Sequence, residues 1–132
     1  MPAPVRILLL EDEADMRNLV RLALTRGTSS RWQVDTLAGD PGPDFPWQDY
    51  DLILSDWMLG RDDPLEFLRR SVLPLPPESR PRCAIFSVVP EMGLRVPLAQ
   101  LAAEGLAVAY VEKIMPVTAY TPTIAGLLAD KP

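Results

Sequence analysis

The chain of 132 residues predicts an α/β fold, one open doubly wound parallel sheet, on three observations. Short unbroken apolar runs alternate with stretches whose apolar residues recur at the three-to-four spacing of amphipathic helices. Such alternation implies right-handed crossovers onto a parallel sheet. Acids, a hydroxyl or a lysine end most of the apolar runs, as expected where strand ends share one functional edge.

The first run, Val5–Leu10, is unbroken and followed at once by acids, the mark of a strand buried on both faces. From Glu13 to Arg26, Met16, Leu19, Val20, Ala23 and Leu24 keep helical spacing, and Gly27 offers a C-terminal stop. Trp32–Leu37 alternates apolar and polar residues and suits a strand near the sheet edge. Between Ala38 and Tyr50, Pro41, Gly42, Pro43 and Pro46 leave too little uninterrupted chain for a normal crossover helix, so a turn or loop is expected. Leu52–Leu54, ending in Ser55-Asp56, is the second deeply buried strand, and Pro64 opens a helix with Leu65, Leu68 and Val72 on one side. Leu73–Pro81 reads as a loop because its prolines deny it helical and ladder hydrogen bonds. Cys83–Phe86 gives a fourth strand, Pro97–Glu104 a short helix with Leu98, Leu101 and Ala102 inward, and Ala107–Val111 a fifth strand. Thr121-Pro122 is expected to cap a last helix containing Ile124, Leu127 and Leu128.

Composition narrows the function. The length fits one domain, residues 1–132, and no apolar run approaches the ~20 residues that cross a bilayer. No membrane insertion is expected, and the first residues lack the features of a secretory signal, so a cytoplasmic location is expected. Cys83 is the sole cysteine and histidine is absent, which excludes an internal disulfide, the usual zinc sites and histidine-based catalysis. A net charge of −5 gives nucleic acid no electrostatic reason to bind.

Glu11 and Asp12 follow the first strand, Asp56 ends the third, Ser87 the fourth and Lys113 the fifth. A parallel sheet brings these ends to one edge. Three crowded carboxylates repel unless a cation intervenes, and oxygen ligands of this kind suit Mg²⁺. A carboxylate such as Asp56 can attack a phosphoryl group, while Mg²⁺ and Lys113 neutralise charge and Ser87 donates to a phosphoryl oxygen. Taken singly, Glu11 and Asp12 are ordinary helix-start residues, Ser87 a strand-end hydroxyl, Lys113 a solvated charge and Cys83 a small buried apolar residue, whereas Asp56, an acid ending a buried strand, is costly without a partner and points to function on its own. Their joint placement points to a site.

The runs ILLLEDEADMR, DLILSDWMLG, IFSVV and AYVEK, in that order over nearly the whole chain, resemble the response-regulator receiver domain. The resemblance implies the flavodoxin-like strand order 2-1-3-4-5. It makes Glu11 and Asp12 the acidic metal pair and Asp56 the phosphoacceptor and a further metal ligand. It also assigns the Met58 backbone carbonyl to Mg²⁺, Ser87 to the switch hydroxyl, Tyr110 to the switch aromatic and Lys113 to the phosphate contact. Phosphoryl donation by a sensor histidine kinase or phosphotransfer protein would then alter the surface formed by residues 97–104, the fifth strand and the last helix. Output would pass through a downstream protein target or self-association, without enzymatic turnover beyond self-catalysed phosphoryl acceptance and loss.

Two positions depart from the family pattern. Ile114 stands where proline follows the lysine, which implies either a rebuilt trans loop or stored strain, and branched Val88 follows the switch hydroxyl where a very small residue is usual. Two alternatives therefore stand beside the phosphorelay reading. One is a receiver-like interaction module independent of phosphorylation; the other is a small metal-dependent phosphoryl-transfer enzyme, which would want a carboxylate where the chain has Met58.

Overall fold

A computed structural model of the chain describes residues 4–26, 32–57, 59–88, 91–113 and 120–129. In chain order the elements are β1 Val5–Leu10, α1 Ala14–Arg26, β2 Trp32–Leu37, β3 Leu52–Asp56, α2 Pro64–Ser71, β4 Arg82–Ser87, α3 Glu91–Glu104, β5 Val108–Glu112 and α4 Tyr120–Ala129, with 3₁₀ turns at Trp47–Asp49 and Pro77–Ser79. Five strands form one sheet in the order β2-β1-β3-β4-β5, every neighbouring pair parallel. This is the flavodoxin-like α/β fold that the sequence predicts.

The pleat sends alternate side chains to two cores. Ile7, Leu9, Leu52, Leu54, Ala84 and Phe86 meet α1 and α4 through Val20, Leu24 and Ile124. On the other face Leu8, Leu10, Ile53, Cys83 and Ile85 meet α2 and α3 through Leu65, Leu68, Leu94 and Leu101. Both faces covered explains why β1, β3 and β4 read as unbroken apolar runs, while β2 at the sheet edge keeps its alternation.

Helix ends follow local chemistry. Glu13 precedes α1, where the sequence had it inside the helix, and its carbonyl accepts from the Arg17 N–H at 2.9 Å. Asp63 caps α2, its Oδ1 accepting from the Leu65 N–H at 3.0 Å, with Pro64 as the first helical residue.

Two expectations need correction. The helix read as Pro97–Glu104 starts at Glu91, so Pro97 lies inside α3 rather than opening it. An interior proline removes a hydrogen bond to the carbonyl four residues back, here that of exposed Gly93, where water can replace the lost donor. The longer helix adds Leu94 to the buried face, whereas Ala102 is exposed. Thr121 does not cap the last helix; it lies within α4, and its hydroxyl donates to the Ala23 carbonyl of α1 at 3.2 Å. Gly27 lies outside the described residues.

The segment between β2 and β3 holds the 3₁₀ turn as its only helical piece, as its prolines predict. It is nonetheless ordered by contacts. Trp47 is buried, its Nε1 donates to the Gly42 carbonyl at 3.0 Å, and its ring stacks on Phe67 of α2 at 5.8 Å. Asp40 pairs with Arg70 of α2, and its N–H donates to Asp62 Oδ2 at 2.9 Å, joining this segment to the loop after β3.

Candidate functional site: an acidic edge with one lysine

The site lies at the carboxyl ends of β1, β3 and β5. Glu11 leaves β1 with its N–H donating to the Leu37 carbonyl at 3.0 Å, which prolongs the β1–β2 pairing by one step. Its carboxylate turns inward, 2 % exposed as a residue, and Oε1 accepts from the Glu13 N–H at 3.2 Å. Asp56 ends β3 and is also buried, while Asp12 is exposed. Oxygen atoms of all three carboxylates lie within 4.8 Å of one another.

Lys113 reaches the same point from β5. Its N–H donates to the Ser87 carbonyl at 2.8 Å, fixing the backbone as it leaves the sheet. Its Nζ then sits 2.9 Å from Asp56 Oδ1, 3.2 Å from Glu11 Oε2 and 5.0 Å from the ring centroid of Phe86. Burial opposes the charge on Lys113, yet its hydrogen bond to Asp56 and the charges of Asp56 and Glu11 outweigh burial and raise its pKa. For Glu11 burial is the largest influence and the charge of Asp56 the next; together they raise its pKa in spite of the Glu13 N–H and Lys113.

The donor set fits a hard divalent cation. It offers oxygen alone, with neither thiolate nor imidazole, and Lys113 offsets one carboxylate charge of three, leaving two uncompensated. Such an ion would offset the mutual repulsion of the three carboxylates.

Most residues singled out from the sequence meet here. Glu11, Asp12, Asp56 and Lys113 form one cluster. Ser87 is buried at the end of β4 and joins the cluster through its carbonyl bond to Lys113. Tyr110 lies earlier on β5, opposite Ile85 and half-buried against the α2–α3 core. Val88 turns outward, 70 % exposed. Met58 and Ile114 lie outside the described residues.

No protein-family model matches the sequence, and neither does any curated protein. Solved structures do. An orphan response regulator of H. pylori, HP1043, aligns with a TM-score of 0.69 and 16 % identity over 97 % of this chain and 99 % of its own. A CheY-like response-regulator receiver domain from Methylobacillus flagellatus aligns at 0.67 and 18 % identity, covering 94 % and 98 %. The phosphorylated cyanobacterial phytochrome response regulator RcpA aligns at 0.67 and 19 % identity, covering 95 % and 91 %. The chain has the receiver fold. At such identities the likeness is one of backbone path, and the acid–lysine edge falls at the receiver fold's usual ligand edge, the strand carboxyl ends.

Sequence reading missed two contributors to this edge of the receiver fold. Arg17 Nη1 donates to the Glu11 carbonyl at 2.9 Å, holding the turn that aims the acid inward. Gly60, in the tight turn bridged by Leu59 and Asp62 beside Asp12, sits at φ 60°, the left-handed conformation that favours glycine. In the sequence these are only an arginine one turn into α1 and a glycine four residues after Asp56, with nothing to mark their contacts.

Proposed function

We propose that residues 1–132 constitute one receiver domain that accepts a phosphoryl group on Asp56 in a cytoplasmic phosphorelay. The observation that carries this reading is the single lysine bridging Asp56 and Glu11 beside a third carboxylate. A carboxylate held against a cation at a strand end is poised for in-line attack on phosphorus, and transfer of this kind depends on positioning and charge neutralisation.

In the reaction a carboxylate oxygen of Asp56 forms a bond to phosphorus as the P–N bond of a phosphohistidine donor breaks. The imidazole leaves with the bonding electron pair and takes up a proton. Lys113 follows the developing negative charge from Asp56 to the phosphoryl oxygens, and Ser87 donates its hydroxyl to one of them. Glu11, Asp12, Asp56 and the Met58 carbonyl would hold Mg²⁺, which screens the phosphoryl oxygens from the carboxylates. Loss of the group is attack by water on the same phosphorus, breaking the Asp56 O–P bond to restore the carboxylate and release inorganic phosphate, so the chain acts as a signalling switch without a turnover substrate.

The partners that fit are a sensor histidine kinase or phosphotransfer protein as donor and a protein target, or a second copy, as receiver of the signal. Tyr110, on β5 three residues before Lys113, would pass the change to the surface of α3, β5 and α4.

Intact mass after incubation with acetyl phosphate and Mg²⁺ tests the proposal. One Mg²⁺-dependent phosphoryl adduct is expected in the wild type and none in Asp56→Asn. No adduct in either protein would overturn the phosphoacceptor role and leave a phosphorylation-independent interaction module.

A further inference from the structure

At the opposite edge of the sheet, where β3, β4 and β5 begin, lies a cavity of about 710 Å³. Its size is that of a pocket for a small organic molecule, and its lining is mainly apolar, including Leu52, Leu106, Val108, Ala109 and Leu127. None of these residues belongs to the acid–lysine edge.

The wall is fixed in advance. Arg80 spends its guanidinium on three carbonyls, those of Leu73 at 2.6 Å, Leu75 at 3.0 Å and Gly105 at 3.0 Å. These bonds tie the proline-rich loop after α2 to the turn after α3, and Pro77 and Pro81 stiffen the same rim. A pocket whose wall is already ordered loses little entropy when a ligand enters.

Arg82 supplies a specific handle. It opens β4 on the face shared by Ala84 and Phe86 and lines the cavity. Its Nε is buried without a hydrogen-bond partner, and among the described residues no carboxylate forms an ion pair with its guanidinium. A buried donor on a cation is costly to leave unsatisfied. Glu78, also on the rim, is exposed. An oxyanion from outside would pair with the guanidinium where Arg82 lines the cavity, and an apolar body attached to it would fill the space beyond.

We infer that this cavity binds a small organic carboxylate with an apolar body, its oxyanion paired with Arg82. The guanidinium fork matches a carboxylate in geometry, and the part-exposed Val108 and Leu127 cover the hydrocarbon. The site is independent of phosphoryl acceptance at Asp56 and is tested separately from it.

The experiment titrates the full chain with decanoate, 2-naphthoate and the neutral analogue decanol, reading heat of binding and backbone amide shifts. Expected is saturable binding of at least one carboxylate, with amide shifts centred on Leu106, Ala109 and Leu127. Decanol should bind at least tenfold more weakly than decanoate, and Arg82→Gln should weaken the preferred carboxylate at least tenfold. Ala107→Trp, which fills the cavity mouth from an exposed position, should abolish binding even if Arg82→Gln proves unstable, whereas Asp56→Asn should bind as wild type. The relative affinities of decanoate and naphthoate distinguish an alkyl from an aromatic ligand. Absence of saturable binding by both carboxylates, equal binding by wild type and Ala107→Trp, or shifts centred at the acidic edge would overturn the inference.

Discussion

Tyr50 shows how burial and a neighbouring charge act on one atom. Its hydroxyl donates to Asp35 Oδ2 at 2.7 Å while Arg6 stands over its ring at 4.7 Å from the centroid. Burial first, then the Asp35 carboxylate, push its pKa up from 10.0 to about 12. Between those values the unfolded chain releases the phenolic proton and the folded chain keeps it, so this residue's contribution to stability falls as pH rises from about 10 to about 12. Tyr50→Phe should cost roughly 1 kcal/mol at pH 7 for the lost hydrogen bond. The deficit should shrink above pH 10 because phenylalanine does not titrate. Urea unfolding of both proteins at a series of pH values checks this, and a constant gap would refute it. At this scale the sequence was uneven as a guide. Glu11, Asp56 and Lys113 were legible because they sit at the ends of apolar runs, but nothing in the string marks Arg17 as the clamp on Glu11 or Arg82 as unpaired. Those facts depend on which way a long side chain turns.

The segment from Ala38 to Tyr50 is the clearest case at the scale of an element. It replaces a crossover helix with a loop pinned at one end by Asp40, Asp62 and Arg70, and at the other by Trp47 in the α2 core. A Cβ on Gly39 would stand 2.7 Å from Asp62 Oδ2, so that carboxylate would have to move from its place beside the Asp40 N–H. Its order comes from tertiary packing, with almost no repeating backbone hydrogen bonds of its own, so one side chain carries much of it. Trp47→Ala removes a fully buried indole, its bond to Gly42 and its stack on Phe67, and should cost about 3–5 kcal/mol. A fall in urea midpoint worth less than about 1 kcal/mol would show that the loop is not anchored this way. Prolines made the missing helix legible, because each removes a donor whatever the context. The same rule misled at Pro97, where an exposed turn of α3 tolerates the lost bond, and at Thr121, whose hydroxyl serves a carbonyl of α1 instead of its own helix. Local rules identify what a residue permits; neighbours in space decide which option is taken.

Strand order is a property of the whole molecule, and periodicity alone does not give it. The order β2-β1-β3-β4-β5 was accessible from sequence only through the succession of motifs, because no local pattern states which strands adjoin. That order is what places Glu11, Asp56 and Lys113 on one edge and leaves two carboxylate charges uncompensated there. The folded state should therefore bind a divalent cation that the unfolded chain, with its acids dispersed, does not. Binding to the native state alone stabilises it by about 2.7 kcal/mol when the free ion reaches a hundred times its Kd. Mg²⁺ should thus raise the melting temperature of the wild type in a saturable way. Asp12→Asn isolates the contribution of the site, since Asp12 is exposed and forms no ion pair among the described residues, so its loss should leave the metal-free stability within about 0.5 kcal/mol. If the variant binds Mg²⁺ tenfold more weakly, its stabilisation at high Mg²⁺ should fall short of the wild type by about 1.4 kcal/mol. Melting curves of both proteins across a Mg²⁺ series measure that difference directly. Equal Mg²⁺ responses would remove Asp12 from the ligand set, and no response in either protein would mean that Lys113 alone is sufficient cation for the edge.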